Sequence, residues 1–252
     1  MSTLARFAPP GREPIPSRLW KVAGGFALAH VVLLFIGLSQ QSPASLSDGP
    51  EGVEEAYGDA SIVSMYTGGT IELLGFLSLL VATVFIARAI GRRTEAGRWA
   101  AQTGLMAGVG YITATFATGL PAGAAAVYGA QHGLDFETVF AINNVRNFAY
   151  FVSLMLLGAQ TISIAVAALS DGVGTRWLGW GGLVTGTVLV AAPALASVGQ
   201  QDWTTLLWLV WWIGVAVFML RHKPTAAFND DSGHAQQESS GGVTDPAAIR
   251  HA

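Results

Sequence analysis

The chain of 252 residues is 52% hydrophobic but only 12% charged, and its formal net charge is −3. Soluble domains carry about 25% charged residues, so the shortage of charge indicates that much of the chain faces lipid. The chain has no basic stripe with interleaved aromatic residues, which argues against nucleic-acid binding, and the absence of cysteine excludes disulfides and thiolate metal sites.

The first part of the chain is a polar lead followed by an apolar segment. Residues 1–18 are rich in proline and predict a short irregular cytoplasmic tail. The apolar segment 19–38 has about the length that crosses a bilayer. Ser42-Pro-Ala44 resembles a signal-peptide cleavage site, but the full-length apolar run with His30 inside it favours an uncleaved span. The acidic segment 42–64 contains no Lys or Arg, and we expect a solvated loop there.

Five further apolar segments follow, and residues 19–223 are predicted to form one transmembrane domain. The six predicted spans cover residues 19–38, 65–87, 99–128, 140–169, 177–198 and 203–220. The third span is longer than a bilayer requires, and Pro121 within it predicts a kink or a helix end. Residues 224–252 are rich in Ser, Gly, Gln and Asp, a composition typical of a disordered cytoplasmic tail.

The positions of the basic residues predict the topology. Six spans place both termini on the same side of the membrane. Every Lys and Arg except Arg146 falls on that side, in a tail, in a loop or at the end of a span, and the loops on the other side carry none. The positive-inside rule therefore places both termini in the cytoplasm. We predict an all-α, multi-pass protein of the cell membrane, folded as a six-helix bundle whose surroundings are the lipid bilayer.

Polar residues of the fourth span recur at helical spacing. Asn143, Arg146, Tyr150, Ser153 and Gln160 fall on one helix face, because their separations follow steps of three and four residues. Such a face cannot look at hydrocarbon, so we expect it to point into the bundle or into a wet cavity. Arg146 is the costliest of these side chains to bury.

Two other ionisable residues, His30 and Glu72, lie on faces of small residues in the first and second spans. Counted along their helices, Glu72 and Arg146 both lie in the outer third of the membrane, which predicts an ion pair between them. The expected polar network comprises His30, Glu72, Tyr111, Asn143, Arg146, Asn147 and Tyr150. We interpret it as a structural network that fixes helix register, with a ligand or ion site as the alternative.

Several polar and aromatic residues also have individual interpretations. Arg146 is shallow enough to extend to the headgroups without a partner. His30 is either a hydrogen-bonded core residue or a member of a proton relay. Trp208, Trp211 and Trp212 in the last span favour packing or lipid contact over a ligand box.

Three glycine pairs four residues apart predict close helix contacts, within one protomer or between protomers of a homo-oligomer. They are Gly104 and Gly108, Gly119 and Gly123, and Gly182 and Gly186. Motifs for catalysis are missing: the chain has no H-E-x-x-H, G-x-S-x-G, Walker or G-x-G-x-x-G sequence, and its histidines have no metal-binding spacing. We therefore expect no enzyme activity, no cofactor and no metal. A membrane-embedded enzyme is the least favoured of three functional hypotheses.

Three stretches carry a resemblance to known proteins: Gly69-Thr-Ile-Glu-Leu-Leu-Gly75, Arg176-Trp-Leu-Gly-Trp-Gly-Gly182, and Leu220-Arg-His-Lys223 after a Trp-rich span. With them the chain resembles a broad group of six-span membrane proteins, common in actinobacteria, that has no assigned activity. The resemblance implies the architecture alone. From the polar network we expect passage or sensing of a small solute, ion or proton, and the alternative is a non-transporting structural or accessory subunit.

Overall fold

The computed structural model describes residues 17–41, 43–44, 48–196 and 202–222, and the regular elements in these residues are all helical. They are α1 Ser17–Leu38, α2 Gly49–Tyr57, α3 Ile62–Ala89, α4 Glu95–Ala114, a π-helical segment Thr115–Gly119, α5 Leu120–Gln131, α6 Phe136–Asp171, α7 Arg176–Val190, α8 Ala192–Ala196 and α9 Asp202–Arg221. The predicted tail 224–252, and all of the predicted lead 1–18 except its last two residues, lie outside the described residues.

Five helical segments are long and apolar enough to cross a membrane: Arg18–Leu38, Ile62–Ala89, Glu95–Gln131, Phe136–Asp171 and Trp203–Arg221. They confirm an all-α bundle of membrane-spanning character. Each contains its predicted span and is one to seven residues longer than that span.

The predicted span 177–198 differs from the other five. Its main helix, α7, has 15 residues and ends at Val190. Pro193 lies three residues further on, and a proline ring clashes with the carbonyl group four residues before it while offering no N–H to the helix. The chain therefore turns at Ala191 and resumes as the short helix α8.

The π-helical segment lies immediately before Pro121. Pro121 cannot donate a backbone hydrogen bond to Ala117, so the helical ladder must shift its register here. The irregularity predicted at Pro121 is thus a π-helical segment within one long helical run, and α4 and α5 continue on either side of it.

Glycines allow the helices to approach closely. A Cβ atom on Gly37 would lie 2.7 Å from the carbonyl oxygen of Gly68, and one on Gly158 would lie 2.7 Å from that of Gly186. The predicted glycine pairs also face helices of the same chain; for example, a Cβ atom on Gly108 would lie 2.9 Å from Gln160. Close contacts within the protomer use these faces, and the homo-oligomer stays a prediction.

The aromatic residues of α9 form part of the core. Trp208, Trp211 and Trp212 are all at most 5% exposed. Their indole N–H groups donate to the Thr161 hydroxyl, the Leu178 carbonyl and the Ala27 carbonyl, at 3.1, 2.8 and 3.1 Å. These residues pack inside the bundle, and their polar atoms have partners.

The acidic segment expected to be a solvated loop contains α2, whose one face is buried. Val53 and Tyr57 are 0% and 1% exposed, whereas Glu51, Glu54 and Glu55 lie on the outer face. The spacing of four residues between Val53 and Tyr57 gives the short helix an apolar stripe. This stripe packs against α6 and α5, so α2 covers the end of the bundle at which α3 and α6 begin.

Candidate functional site

A cavity of about 290 Å³ lies under α2, bounded by α3, the π-helical segment, α5 and α6. Its polar lining comprises Gln41, Tyr57, Tyr66, Thr70 and Arg146, and its apolar lining includes Met65, Leu73, Phe116, Leu120 and Val127. Small-molecule sites have this composition, with a mainly apolar wall and a few polar groups. The side chain of Arg146 is the one charged group among the described lining residues.

Arg146 reaches the cavity across Gly123 of α5. A Cβ atom on Gly123 would lie 2.9 Å from Cδ and 3.2 Å from Nε of Arg146, so only glycine leaves room for the arginine stem. Within residues 17–41, 43–44, 48–196 and 202–222, the guanidinium group forms no hydrogen bond and no salt bridge. Its position, ten residues into α6, is about 15 Å along the helix from Phe136.

Glu72, the expected partner of Arg146, bonds to a different residue. Its Oε2 atom accepts a hydrogen bond of 3.2 Å from the Gln41 side-chain amide. Arg146 attracts the carboxylate electrostatically but does not come within salt-bridge distance of it. The predicted direct ion pair is therefore absent from this structure. Gln41 follows the end of α1, a position that sequence spacing did not connect with Glu72.

Asn143 joins α6 to α2 and to the segment that precedes α2. Its side-chain oxygen accepts a hydrogen bond of 2.8 Å from the Tyr57 hydroxyl, and its Nδ2 atom donates to the Ala44 carbonyl at 3.1 Å. The Ala44 N–H closes the ring by donating to the Tyr57 oxygen at 3.2 Å. Burial raises the pKa of the Tyr57 phenol, although the charge of Arg146 and the bond from Ala44 oppose the shift. The phenol stays protonated and serves as a donor.

His30 lies apart from the cavity, among aromatic rings. It is 0% exposed, and its ring centroid is 5.7 Å from that of Phe76 and 5.8 Å from that of Trp208. The Nδ1 atom lies 2.9 Å from the Gly75 carbonyl oxygen, which can only accept, so Nδ1 carries the proton. Nε2 is buried and has no hydrogen-bond partner in the described part of the chain.

Tyr111 belongs to the same aromatic group as His30. Its ring centroid lies 5.5 Å from that of Phe76, in an edge-on arrangement. It is 8% exposed and does not line the cavity. Sequence spacing placed Tyr111 with the arginine, whereas the structure packs its ring against Phe76.

The remaining two predicted residues, Asn147 and Tyr150, point to different surroundings. Tyr150 is 37% exposed, and its hydroxyl lies 2.6 Å from that of Thr205 on α9. Asn147 is 9% exposed, and its Nδ2 atom has no partner among the described residues. Neither lines the cavity. The predicted face of α6 therefore serves several separate contacts, and Arg146 is its member in the cavity.

Asp171, at the opposite end of α6 from Asn143, is a buried acidic residue that was not among the predicted site residues. Its carboxylate accepts hydrogen bonds from the backbone N–H groups of Arg92, Arg93 and Thr94, at 2.5, 3.2 and 3.1 Å. The Thr94 hydroxyl adds a fourth at 3.0 Å. This carboxylate fixes the loop between α3 and α4 and has no free coordination to offer a ligand.

Sequence reasoning missed Tyr57, Gln41 and Gly123 as parts of the site. The one available signal was the pair Val53 and Tyr57, whose spacing indicates a helix face inside an otherwise acidic segment. Nothing in the sequence indicated that Gln41 reaches Glu72, since 31 residues separate them.

Comparisons with protein-family models, with curated proteins and with solved structures find no match to the chain. The resemblance to six-span actinobacterial proteins therefore stays a prediction. In the described residues, no three His, Asp or Glu side chains come together as a metal site would require. The candidate site is thus defined by the cavity and by Arg146.

Proposed function

We propose that this protein is a multi-pass protein of the cell membrane, with six spans and cytoplasmic termini, whose outward-facing cavity receives a small solute for passage or sensing. The span that adds to the five long helical segments is the fifth in chain order. It consists of α7 and α8, which number 15 and 5 residues. At about 1.5 Å per residue they extend close to the roughly 30 Å of a bilayer core.

One observation supports the solute site above all: a cavity of about 290 Å³ contains an arginine that bonds to no described residue. A charge at membrane depth that serves structure is expected to have a partner, because an uncompensated charge there is costly. Arg146 has instead a glycine beside its stem, a mainly apolar cavity lining around it, and open space. That arrangement favours a partner that comes and goes.

Gly69 provides the test, because it lines the cavity and a Cβ atom there would meet nothing within 4 Å. We expect Gly69→Leu to fill the cavity and to abolish solute binding or uptake while the amount of folded protein in the membrane stays unchanged. Gly25 on α1 is the matched control, since it is exposed and a Cβ atom there also meets nothing. Gly25→Leu should leave solute binding and uptake intact.

The orientation is tested by single cysteines, for which the cysteine-free chain needs no background mutations. In intact cells, a membrane-impermeant thiol reagent should label Gly69→Cys and should label Trp99→Cys only after the cells are opened. Trp99 is 66% exposed at the start of α4, on the predicted cytoplasmic side. The reverse labelling pattern would refute the outward-facing cavity.

A groove on α6 favours the second candidate, a non-transporting accessory subunit. Asn144 lines it together with exposed Val145, Phe148 and Val152, and its Oδ1 atom is buried without a partner in the described residues. Amide side chains on membrane helices often join to a second helix. If this candidate is right, Asn144→Leu should impair assembly with another membrane protein while Gly69→Leu has no effect on function.

A further inference from the structure

We infer that the cavity takes a monoanion with an apolar body, in which a single carboxylate or phosphate group is attached to a hydrocarbon or aromatic frame and is held by Arg146. This inference rests on the proposed function, because it names the ligand class of the same cavity. The hydrogen bonds that the lining side chains already form support this ligand class.

The neutral hydroxyl donors of the cavity are already in use. The Tyr57 hydroxyl donates to Asn143 at 2.8 Å, and the Thr70 hydroxyl donates to the Tyr66 carbonyl at 2.9 Å. The Tyr66 hydroxyl donates to the Ala124 carbonyl at 3.4 Å. A hydroxyl group has only one proton to donate. A ligand that needs donors therefore cannot obtain them from these three groups without breaking an existing bond.

The amide of Gln41 is in use as well. Its Nε2 atom donates to the Gly37 carbonyl at 3.3 Å and to the Glu72 carboxylate at 3.2 Å, and these two bonds employ both of its protons. Among the described lining side chains, Arg146 alone keeps donors for a ligand. A guanidinium group offers five N–H donors and no acceptor, in a geometry that suits the two oxygens of a carboxylate or phosphate.

The number of charges follows from the other groups near Arg146. Glu72 is close enough to interact electrostatically with Arg146 and already opposes part of its charge. The remaining charged side chains of the described part of the chain do not line the cavity. A second negative charge on the ligand would be buried without compensation, which is costly. One anionic group matches the site, and a dianion does not.

The apolar part of the cavity lining determines the body of the ligand. Leu73, Phe116 and Val127 belong to it and offer no hydrogen-bonding groups in their side chains. A cavity of about 290 Å³ is near the lower end of the range of about 300–1,000 Å³ for small-molecule sites. An apolar chain or ring would remove this wall from water, whereas a sugar or a peptide would leave its own polar groups unpaired there.

This chemistry has two sources, an anionic membrane lipid or a free organic acid. The experiment uses the purified full chain in nanodiscs of zwitterionic lipid and measures the midpoint of thermal unfolding and the Kd by calorimetry. Three probes of equal chain length differ only in head group: octanoate, octanamide and octylammonium. A parallel set of nanodiscs contains phosphatidylglycerol in place of a third of the lipid.

We expect octanoate to bind at least about tenfold more tightly than octanamide, a difference of about 1.4 kcal/mol, and octylammonium not to bind. Gly69→Leu should remove octanoate binding and Gly25→Leu should not. Arg146→Gln should reduce the preference for octanoate over octanamide to about onefold. If phosphatidylglycerol raises the unfolding midpoint through Arg146 and competes with octanoate, the monoanion is a lipid. If it has no effect, the monoanion is a free acid.

Two results would overturn the inference in distinguishable ways. If octanamide or octylammonium binds as tightly as octanoate and Gly69→Leu prevents it, the cavity is a solute site but the ligand class is wrong. If no probe binds and the cavity-filling variant behaves like the natural chain, the proposed function fails as well. Should Arg146→Gln not fold, Gly123→Ala replaces it, because the added Cβ displaces the arginine stem and should weaken octanoate binding alone.

Discussion

Two charged residues of α6, Asp171 and Arg146, differ in how their side chains are hydrogen-bonded. At its C-terminal end, Asp171 is 3% exposed and accepts four hydrogen bonds from the loop between α3 and α4. Nearer its N-terminal end, Arg146 lies partly buried beside a cavity and bonds to none of the described residues. The helix that carries both charges is continuous, so the difference comes from what the neighbouring segments offer to each.

The comparison separates structural polarity from functional polarity. A charge whose bonding capacity is filled by the backbone can only hold the fold together, because any ligand would have to displace those bonds. A charge whose bonding capacity is open can hold a ligand, and it contributes nothing to stability through direct pairing. On this basis we interpret Asp171 as a structural residue and propose Arg146 as the functional one.

Replacing Asp171 should have the largest effect on stability. In Asp171→Asn the amide N–H₂ group replaces one of two oxygens that each accept two hydrogen bonds, so it faces two donors, and we expect the free energy of unfolding to fall by about 2–4 kcal/mol. Unfolding in a titration with sodium dodecyl sulfate would measure the change. Asp59→Asn is the control, since Asp59 is exposed. Equal stability of the Asp171 and Asp59 variants would mean that the cap does not stabilise the fold.

Replacing Asn143 should have the second-largest effect on stability, because its hydrogen bonds stabilise the end of the molecule at which Arg146 lines the cavity. Asn143→Ala removes the acceptor of Tyr57 and the donor to Ala44, and we expect a loss of about 1–3 kcal/mol. Limited proteolysis of α2 should become faster at the same time. Unchanged proteolysis would show that the hydrogen-bonded ring does not hold α2 in place.

Removing the charge of Arg146 should leave stability within about 0.5 kcal/mol of the natural chain, since no hydrogen bond or salt bridge is lost and Glu72 lies beyond salt-bridge distance. The thermal midpoint of Arg146→Gln in ligand-free nanodiscs is the measurement. Arg98→Gln, at an exposed position on the predicted cytoplasmic side, is its control. A loss comparable to that of Asp171→Asn would assign Arg146 a structural role and break the comparison.

The smallest expected effect is that of pH through Asp135, the exposed N-cap of α6. Hydrogen bonds from the backbone N–H and hydroxyl of Thr138 lower the pKa of this carboxyl. Because the folded pKa is the lower one, the cap stabilises fully above the unfolded pKa of about 3.9. Its contribution is lost as the pH falls through the folded pKa. The thermal midpoints of the natural chain and Asp135→Ala should therefore converge on acidification, and a constant difference would refute this.

The helices were largely predictable because hydrophobicity and length alone determine a membrane-spanning segment. The exception, α7, shows the limit: composition counts the residues around Pro193 as apolar, but the backbone cannot continue through them. The break near Pro121 was predictable for the same reason, although its form as a π-helical segment was not.

The site was predictable only in part. Spacing on α6 identified Arg146 and Asn143, because polar residues that recur on one face must avoid lipid. Which residue bonds to Glu72 depends on the path of the chain after α1. The space beside Gly123 that accommodates the Arg146 stem depends on the packing of α5 against α6. Both are tertiary contacts between distant segments. Spacing within a single helix contains no information about them, so the expected Glu72–Arg146 pair was wrong for this structure.

The charge of the cavity can be measured at Gly69→Cys, in a chain that is otherwise free of cysteine. Thiosulfonate reagents with an anionic or a cationic end report the local potential through their reaction rates, each divided by the rate of that reagent with free mercaptoethanol. A charge on Arg146 that Glu72 offsets only in part predicts a normalised rate about tenfold higher for the anionic reagent. Arg146→Gln should bring the two rates together. Equal rates in the natural background, or a preference that survives Arg146→Gln, would contradict the account.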